Sequence, residues 1–125
     1  MTALSRSEFE ALVAQALDDL PPYFHVKMNN VEVIVETAPT LEDYRQVGGR
    51  PGGVLLGLYV GIPLTARTSG YQLVPPDTIR IFQQPIEQLC RTPEEVRQQV
   101  RHTVIHELAH HFGISDARLR ELGAY

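Results

Sequence analysis

Residues 102–116 read HTVIHELAHHFGISD, and four histidines fall within ten positions of this otherwise apolar run. Imidazole is a poor choice for filling a core, so the run indicates metal binding or catalysis. On a helix, His106 and His110 lie one turn apart on the same side, and both can reach one zinc ion. Glu107 stands beside them as a candidate base. The stretch therefore predicts a helix that carries a metal site.

The start of this helix is marked upstream, at residues 92–95. Thr92 is suited to the N-cap, Pro93 to the first helical position, and Glu95 to the third, where acidic side chains favour the positive end of the helix dipole. Apolar residues then follow at helical spacing: Val96, Val100, Val104, Ile105, Leu108, Ala109 and Phe112. They share one broad face, which predicts firm packing against a sheet.

Gly113 and Asp116 extend the motif beyond the second histidine. On a continuous helix, Asp116 would lie about 15 Å along the axis from His106, too far to share an ion. Glycine readily adopts the left-handed conformation that ends helices, so a turn at Gly113 would bring Asp116 beneath the two histidines. Three ligands and one open position are typical of catalytic zinc. The alternative is that Gly113 is an ordinary helix end and Asp116 caps the last short helix.

The remaining segments predict few elements. Helical spacing runs from about residue 5 or 7 to residue 20, with a possible capping box between Ser5 and Glu8. Residues 31–36, VEVIVE, alternate like a half-buried strand. The apolar run at 54–62, VLLGLYVGI, favours a strand covered on both faces. A short strand is expected at 78–82, after which Pro85 ends it or begins a helical turn.

Composition limits the possible functions. The chain has 125 residues, 43% of them hydrophobic, which suits one domain over residues 1–125. A net charge of -4 disfavours a nucleic-acid partner. We expect no membrane partner either, because no stretch has membrane-spanning length and no signal peptide is evident. With Cys90 as its one cysteine the chain has no internal disulfide, and we expect a cytoplasmic protein.

Other polar residues give weaker signals. His102 cannot share one ion with both His106 and His110, because the three would spread over about 12 Å of helix, and we expect it at the surface or supporting a ligand. His111 is turned about 100° from His110 and His25 lies far upstream; neither is expected to bind the metal.

A hydrolytic site also needs an electrophile, but the spacing does not select among Arg67, Tyr71 and Tyr125. Tyr125 either fills the space beneath the metal, against the histidine side of the helix, or is frayed as chain ends commonly are.

The eleven residues at 106–116 form the pattern HExxHxxGxxD, which resembles the zincin-like metallopeptidases and specifically the very small bacterial proteins described as minimal zincins. The likeness extends less sharply through 55–64 and 78–82. The resemblance implies zinc bound by His106, His110 and Asp116, with Glu107 activating water. It also implies an α+β fold: an N-terminal helix, a small twisted sheet of three to four strands, the metal-bearing helix and a short C-terminal helix.

The chain departs from larger zincins in two ways. Asp116 stands where metzincins have a third histidine, and no methionine follows the motif. Nine residues follow Asp116, so we expect the lower part of a zincin cleft to be absent and the exposed strand edge to favour a homodimer. An extended peptide or protein substrate would lie along the edge of the sheet.

Two other functions remain open. The ligand spacing HxxxHxxxxxD is close to the HxxxHxxxxxH pattern of a bacterial RNA-processing endoribonuclease family, although Glu107 and the acidic balance favour a peptidase. A non-catalytic metal-dependent module that binds peptides or proteins would keep the ion and the sheet edge but lack turnover.

Overall fold

The computed structural model describes residues 3–48, 54–61 and 75–124. Helices dominate these ranges, with short strands between them. In chain order the elements are α1 (Arg6–Asp18), α2 (Pro22–Lys27), β1 (Val31–Glu36), α3 (Leu41–Gln46), β2 (Gly57–Val60), β3 (Asp77–Phe82), α4 (Gln83–Leu89), α5 (Pro93–Phe112) and α6 (Asp116–Glu121). The predicted N-terminal helix, histidine-bearing helix and short C-terminal helix correspond to α1, α5 and α6.

The strands form one mixed sheet in the order β1-β3-β2. β1 is parallel to β3, with Val33 opposite Ile79, whereas β2 is antiparallel to β3, with Tyr59 opposite Ile79. Helices combined with a small mixed sheet make this an α+β fold, as predicted. Within the described part of the chain β2 is an edge strand, and this position matters for the site.

The hydrophobic core lies between one face of the sheet and helices α1 and α5. Ile79 and Ile81 are two residues apart on β3, so they share a face, and both are fully buried. The buried residues of α5 are Val96, Val100, Thr103, Val104, Ile105, Leu108 and Ala109. Full burial of one such aliphatic side chain contributes about 1.5–3 kcal/mol. α5 is therefore held firmly by one side, while its other side faces solvent.

Local signals place the first and last turns of the helices. The predicted capping box of α1 is present: Ser5 Oγ accepts the N–H of Glu8 at 3.1 Å, and Glu8 Oε1 accepts the N–H of Ser5 at 3.0 Å. Phe112, predicted to join the apolar stripe of α5, is instead 43% exposed. The stripe ends before the helix does, because the last turn of α5 leads into the chain reversal at Gly113.

The prediction of a strand over 54–62 covered on both faces is wrong in two respects. The strand observed is only Gly57–Val60, and it lies at an edge of the sheet. Val54 and Val60 are 70% and 37% exposed. The apolar run instead lines a cleft beside α5. A cleft wall and a doubly covered strand have the same composition, so hydrophobicity alone does not distinguish them.

The outer face of the sheet carries an ionic cluster. Arg80 on β3 donates from Nη1 and Nη2 to the two carboxylate oxygens of Asp43 on α3, at 2.6 and 2.9 Å, and its Nε and Nη2 donate to Glu36 on β1. Asp43 is buried. The Arg80 hydrogen bonds lower the pKa of Asp43 from 3.8 to about 2, against the opposing effect of burial. The cluster thus ties α3 to the face opposite the core.

Candidate active site

Helix α5 begins and ends as its sequence predicts. Thr92 Oγ1 accepts the N–H of Glu95 at 3.1 Å, and Pro93 is the first helical residue. The helix ends at Gly113, whose φ of +67° lies in the left-handed region, and the N–H of Ile114 donates back to the carbonyl of Ala109 at 2.8 Å. The predicted helix end at Gly113 is therefore observed, whereas a turn that brings Asp116 beneath the histidines stays a prediction.

The central residue of the site is Glu107, which is half-buried between α5 and the edge strand β2. Its Oε1 accepts the backbone N–H of Tyr59 at 3.0 Å. Burial raises the pKa of Glu107 above its ordinary value, while the Tyr59 hydrogen bond and the neighbouring His110 and His106 act in the opposite direction. A carboxylate with a raised pKa takes up a proton more readily near neutral pH, as a general base must.

Two grooves meet at Glu107 along the line where β2 faces α5. One has a volume of about 410 Å³ and is lined by Val47, Leu55, Gly57, Leu58, Tyr59, Glu107, His110 and His111. The other has a volume of about 350 Å³ and is lined by Val54, Leu55, Leu56, Gly57, Gln99, His102, Thr103, His106 and Glu107. Leu55 lines both grooves, together with Leu58 in the first and with Val54 and Leu56 in the second. Neither Lys nor Arg lines either groove among the described residues.

His106 and His110 are both solvent-exposed, one turn apart on α5, on either side of Glu107 in sequence. Each lines one of the two grooves. The ring of His102 lies 4.6 Å from that of His106, so the histidine stripe extends one turn further toward the helix start. Burial and the nearby His106 lower the pKa of His102. Exposed imidazoles one turn apart on a helix are suitable metal ligands.

Asp116 is the first residue of α6 and is exposed. Ser115 caps this helix, since its Oγ accepts the N–H of Arg118 at 3.1 Å, so the alternative that Asp116 is the cap is wrong. Across 3–48, 54–61 and 75–124, no three His, Cys, Asp or Glu side chains are arranged to hold a metal ion. The imidazoles of His106 and His110 are suitable zinc ligands, but within the described residues no third ligand lies beside them. The role of Asp116 as a ligand stays a prediction.

A second polar group, which the sequence did not indicate, adjoins the site. The ring of Tyr59 stacks on that of His111, with centroids 3.9 Å apart, and the Tyr59 hydroxyl donates to Asp77 Oδ2 at 2.5 Å. His111 Nε2 lies 3.9 Å from the same oxygen. Strand alternation could have placed Gly57 and Tyr59 on one face, but nothing in their spacing pointed to α5. His25 is exposed on α2, away from these residues in the sequence.

The candidates for an electrophile, Arg67, Tyr71 and Tyr125, all lie outside the described residues. The prediction that Tyr125 packs beneath the histidines therefore also lies outside the described residues. Its neighbour Ala124 is buried, and its N–H donates to the carbonyl of Leu119 at 2.9 Å. The described chain is therefore anchored up to residue 124.

Comparison with known proteins shows the family of the chain. Within the described ranges, no helix is both long and apolar enough to cross a membrane. A comparison with curated proteins finds no match. A family model described as zincin-like metallopeptidase matches residues 28–124, which include the whole sheet, α5 and α6. Because the match covers well over half of the chain, the protein belongs to the zincin-like metallopeptidase family.

Proposed function

We propose that the protein is a zinc-dependent peptidase in which Glu107 is the general base. The observation that carries the proposal is the placement of Glu107. It is half-buried where two grooves meet, has a raised pKa, and lies between two exposed histidines on one helix. Family membership supports the peptidase class. The cofactor belongs to the proposal: His106 and His110 would hold zinc, with Asp116 as third ligand.

The residues present suggest how such a site would work. Zinc, when bound, supplies Lewis acidity that activates water and polarises a carbonyl group. Glu107 takes a proton from the attacking water and delivers it to the departing amine, a task favoured by a pKa closer to neutrality. The apolar side chains of the grooves exclude bulk water around the scissile bond. An extended peptide would lie along the edge of the sheet at β2, beside Glu107.

The groove lining favours peptides over RNA as the substrate. A nuclease that binds a polyanion needs cationic side chains along its groove. Among the described residues the grooves carry Glu107, four histidines and uncharged polar or apolar side chains, and no Lys or Arg. This supports a peptide or protein substrate with no nucleic-acid partner. The endoribonuclease alternative therefore has less support than the peptidase.

Zinc binding is tested first. Purified wild-type chain, saturated with zinc and desalted, is expected to retain one equivalent, whereas His106→Ala and His110→Ala retain none, since two remaining ligands cannot hold the ion against water. His25→Ala is the matched control, because it removes an exposed imidazole from α2. Full retention of zinc by either site variant would contradict the ligand assignment.

Asp116→Ala separates a ligand from a helix-terminal residue. If Asp116 binds zinc, the desalted Asp116→Ala variant retains none, as the two histidine variants do, while the metal-free chain keeps its stability within about 0.5 kcal/mol. Ser115→Ala is the control, because it weakens the start of α6 without removing a carboxylate. Equal zinc affinities of Asp116→Ala and wild type would assign the third position to another group.

Activity is tested with a denatured protein as substrate. Cleavage that depends on zinc supports the peptidase, and binding of the same substrate without cleavage supports the metal-dependent binding module instead.

We also propose a cytoplasmic setting, with which the free, buried thiol of Cys90 is compatible. Self-association stays a prediction, and sedimentation at high micromolar concentration decides it.

A further inference from the structure

The backbone N–H of Tyr59 faces away from the sheet. In an antiparallel pair, residues alternate between positions that exchange hydrogen bonds with the partner and positions whose backbone groups point outward. The carbonyl of Leu56 accepts the N–H of Phe82 at 3.0 Å, so Leu56 is a bonded position. Residues of the opposite parity, Gly57 and Tyr59, therefore point their N–H groups away from β3. The Tyr59 N–H thus points away from β3, toward a group beyond the sheet edge.

Glu107 occupies this donor. Its Oε1 lies 3.0 Å from the Tyr59 nitrogen, across 48 residues of sequence. A half-buried carboxylate has lost some of its hydrogen bonds to water. A backbone N–H is a rigid donor, so it replaces one of these hydrogen bonds in a fixed direction. The bond therefore fixes the rotamer of Glu107 relative to the two flanking histidines.

Gly57 sets the distance over which this bond forms. A Cβ placed on Gly57 would lie 2.7 Å from Thr103 Cγ2 and 3.2 Å from the carbonyl oxygen of Arg80. The first contact is closer than real Cβ atoms approach, and the second involves rigid backbone of β3. Thr103 is buried on α5, one turn before Glu107. The absence of a side chain at Gly57 therefore allows β2 to pack directly on α5.

We propose that Gly57 and the backbone N–H of Tyr59 are positioning groups for the general base: Gly57 brings the edge strand against α5, and Tyr59 N–H holds the Glu107 carboxylate in its working orientation. The inference rests on the function proposed for Glu107. Neither residue is catalytic, since each acts through Glu107. Tyr59 contacts Glu107 through its backbone amide, so the identity of its side chain does not matter for this role.

The hydrogen bond is tested by amide exchange in the metal-free protein, which does not depend on activity. The Tyr59 N–H is expected to exchange at least roughly tenfold more slowly in wild type than in Glu107→Ala. Glu107→Gln is the matched control, because its amide oxygen still accepts a hydrogen bond and protection is retained. The N–H of Phe82, bonded to Leu56, reports on the β2–β3 pairing and should be unchanged in all three. Equal exchange of Tyr59 in wild type and Glu107→Ala overturns the proposal.

The positioning role is tested by Tyr59→Pro beside Tyr59→Ala. Both remove the ring, but only proline removes the N–H, and proline is tolerated at an outward-facing position of an edge strand. With the zinc-loaded protein, we expect kcat of Tyr59→Pro to be roughly tenfold below that of Tyr59→Ala at similar KM, because a displaced base slows the chemical step. Equal kcat values contradict the positioning role.

Gly57→Ala gives a second route to the same answer if Tyr59→Pro fails to fold. Its added methyl pushes β2 away from α5, so both Tyr59 protection and kcat should fall. Thr103→Ser should restore both in part, because it removes the nearer clashing atom but leaves the contact with the Arg80 carbonyl oxygen. No restoration would mean that Gly57 does not act through this contact. If wild type shows no peptidase activity at all, the proposed function fails, and the exchange experiment still decides whether β2 holds Glu107.

Discussion

Asp43 and Glu107 are carboxylates withdrawn from water beside the same small sheet, but their surroundings differ in kind. Asp43 on the outer face receives two hydrogen bonds from Arg80, and its pKa falls to about 2. Glu107 beside the edge strand receives one from a neutral backbone N–H, and burial raises its pKa. The first environment holds a permanent charge. The second favours a group that exchanges a proton, which is the difference between a structural and a reactive carboxylate.

The same difference separates the effects of neutralising each group. Burying a carboxylate without a cation costs stability, and a protein accepts that cost where the group serves function. A carboxylate that is paired with a guanidinium contributes to folding instead. We therefore expect Glu107→Gln to reduce turnover without loss of stability, and Asp43→Asn to reduce stability without loss of turnover.

The largest effect is expected for Glu107→Gln. This variant should retain zinc but lose more than about 100-fold in kcat/KM, because the amide cannot accept a proton from water. The melting temperature of its metal-free form should equal or exceed that of wild type, since a half-buried charge is replaced by a neutral group of the same shape. Metal analysis, peptidase assay and thermal unfolding measure the three quantities. Loss of zinc, or unchanged turnover, would contradict the role of Glu107.

Asp43→Asn should show the reverse pattern. The free energy of unfolding is expected to fall by roughly 2 kcal/mol, because Arg80 loses a charged partner within hydrogen-bonding distance. Zinc affinity and turnover should be unchanged, since the cluster lies on the face opposite α5. Urea unfolding and the peptidase assay check both parts. If activity fell together with stability in folded protein, the two faces would be coupled and the comparison would fail.

Acid titration sharpens the contrast. The pKa of Asp43 is lower in the folded chain than its ordinary value of 3.8, so the pairing contributes its full stability above that value. The contribution is lost progressively as the pH falls from 3.8 through about 2, below which Asp43 is protonated in the folded state as well. The difference in stability between wild type and Asp43→Asn should therefore shrink over this interval. A difference that stays constant down to about pH 2 would show that Asp43 acts through shape and not charge.

Much of the helical frame could be predicted because its signals are local. Thr92 and Pro93 start α5 and Gly113 ends it through interactions among residues at most a few positions apart. The 3.6-residue period then places His106, Glu107 and His110 on neighbouring positions without any knowledge of the rest of the chain. The order of α1, the three strands, α5 and α6 followed from such local signals, whereas α2 and α3 were not predicted.

The surroundings of Glu107 could not be predicted in the same way. Its partner is a backbone N–H 48 positions earlier, and a backbone group has no side-chain signature in the sequence. The pairing of Arg80 with Asp43 spans 37 positions and depends on which face of the sheet α3 packs against. The run at 54–62 was misassigned because apolar side chains line a cleft as readily as they fill a core. Long-range placement thus determined what the local patterns left open.

The smallest effect is expected for Glu36→Gln, which tests whether Asp43 is the dominant partner of Arg80. The Glu36 side chain is 37% exposed, whereas that of Asp43 is 6% exposed. Water screens the more exposed pair, so the free energy of unfolding should fall by about 0.5 kcal/mol, less than a third of the effect of Asp43→Asn.

The double variant Glu36→Gln/Asp43→Asn should be destabilised by more than the sum of the two single effects. In it Arg80, whose side chain is 19% exposed, has neither carboxylate beside it. Urea unfolding of the four proteins measures the coupling. A larger loss for Glu36→Gln than for Asp43→Asn would mean that burial does not determine the strength of these pairs, and the contrast between Asp43 and Glu107 would need another cause.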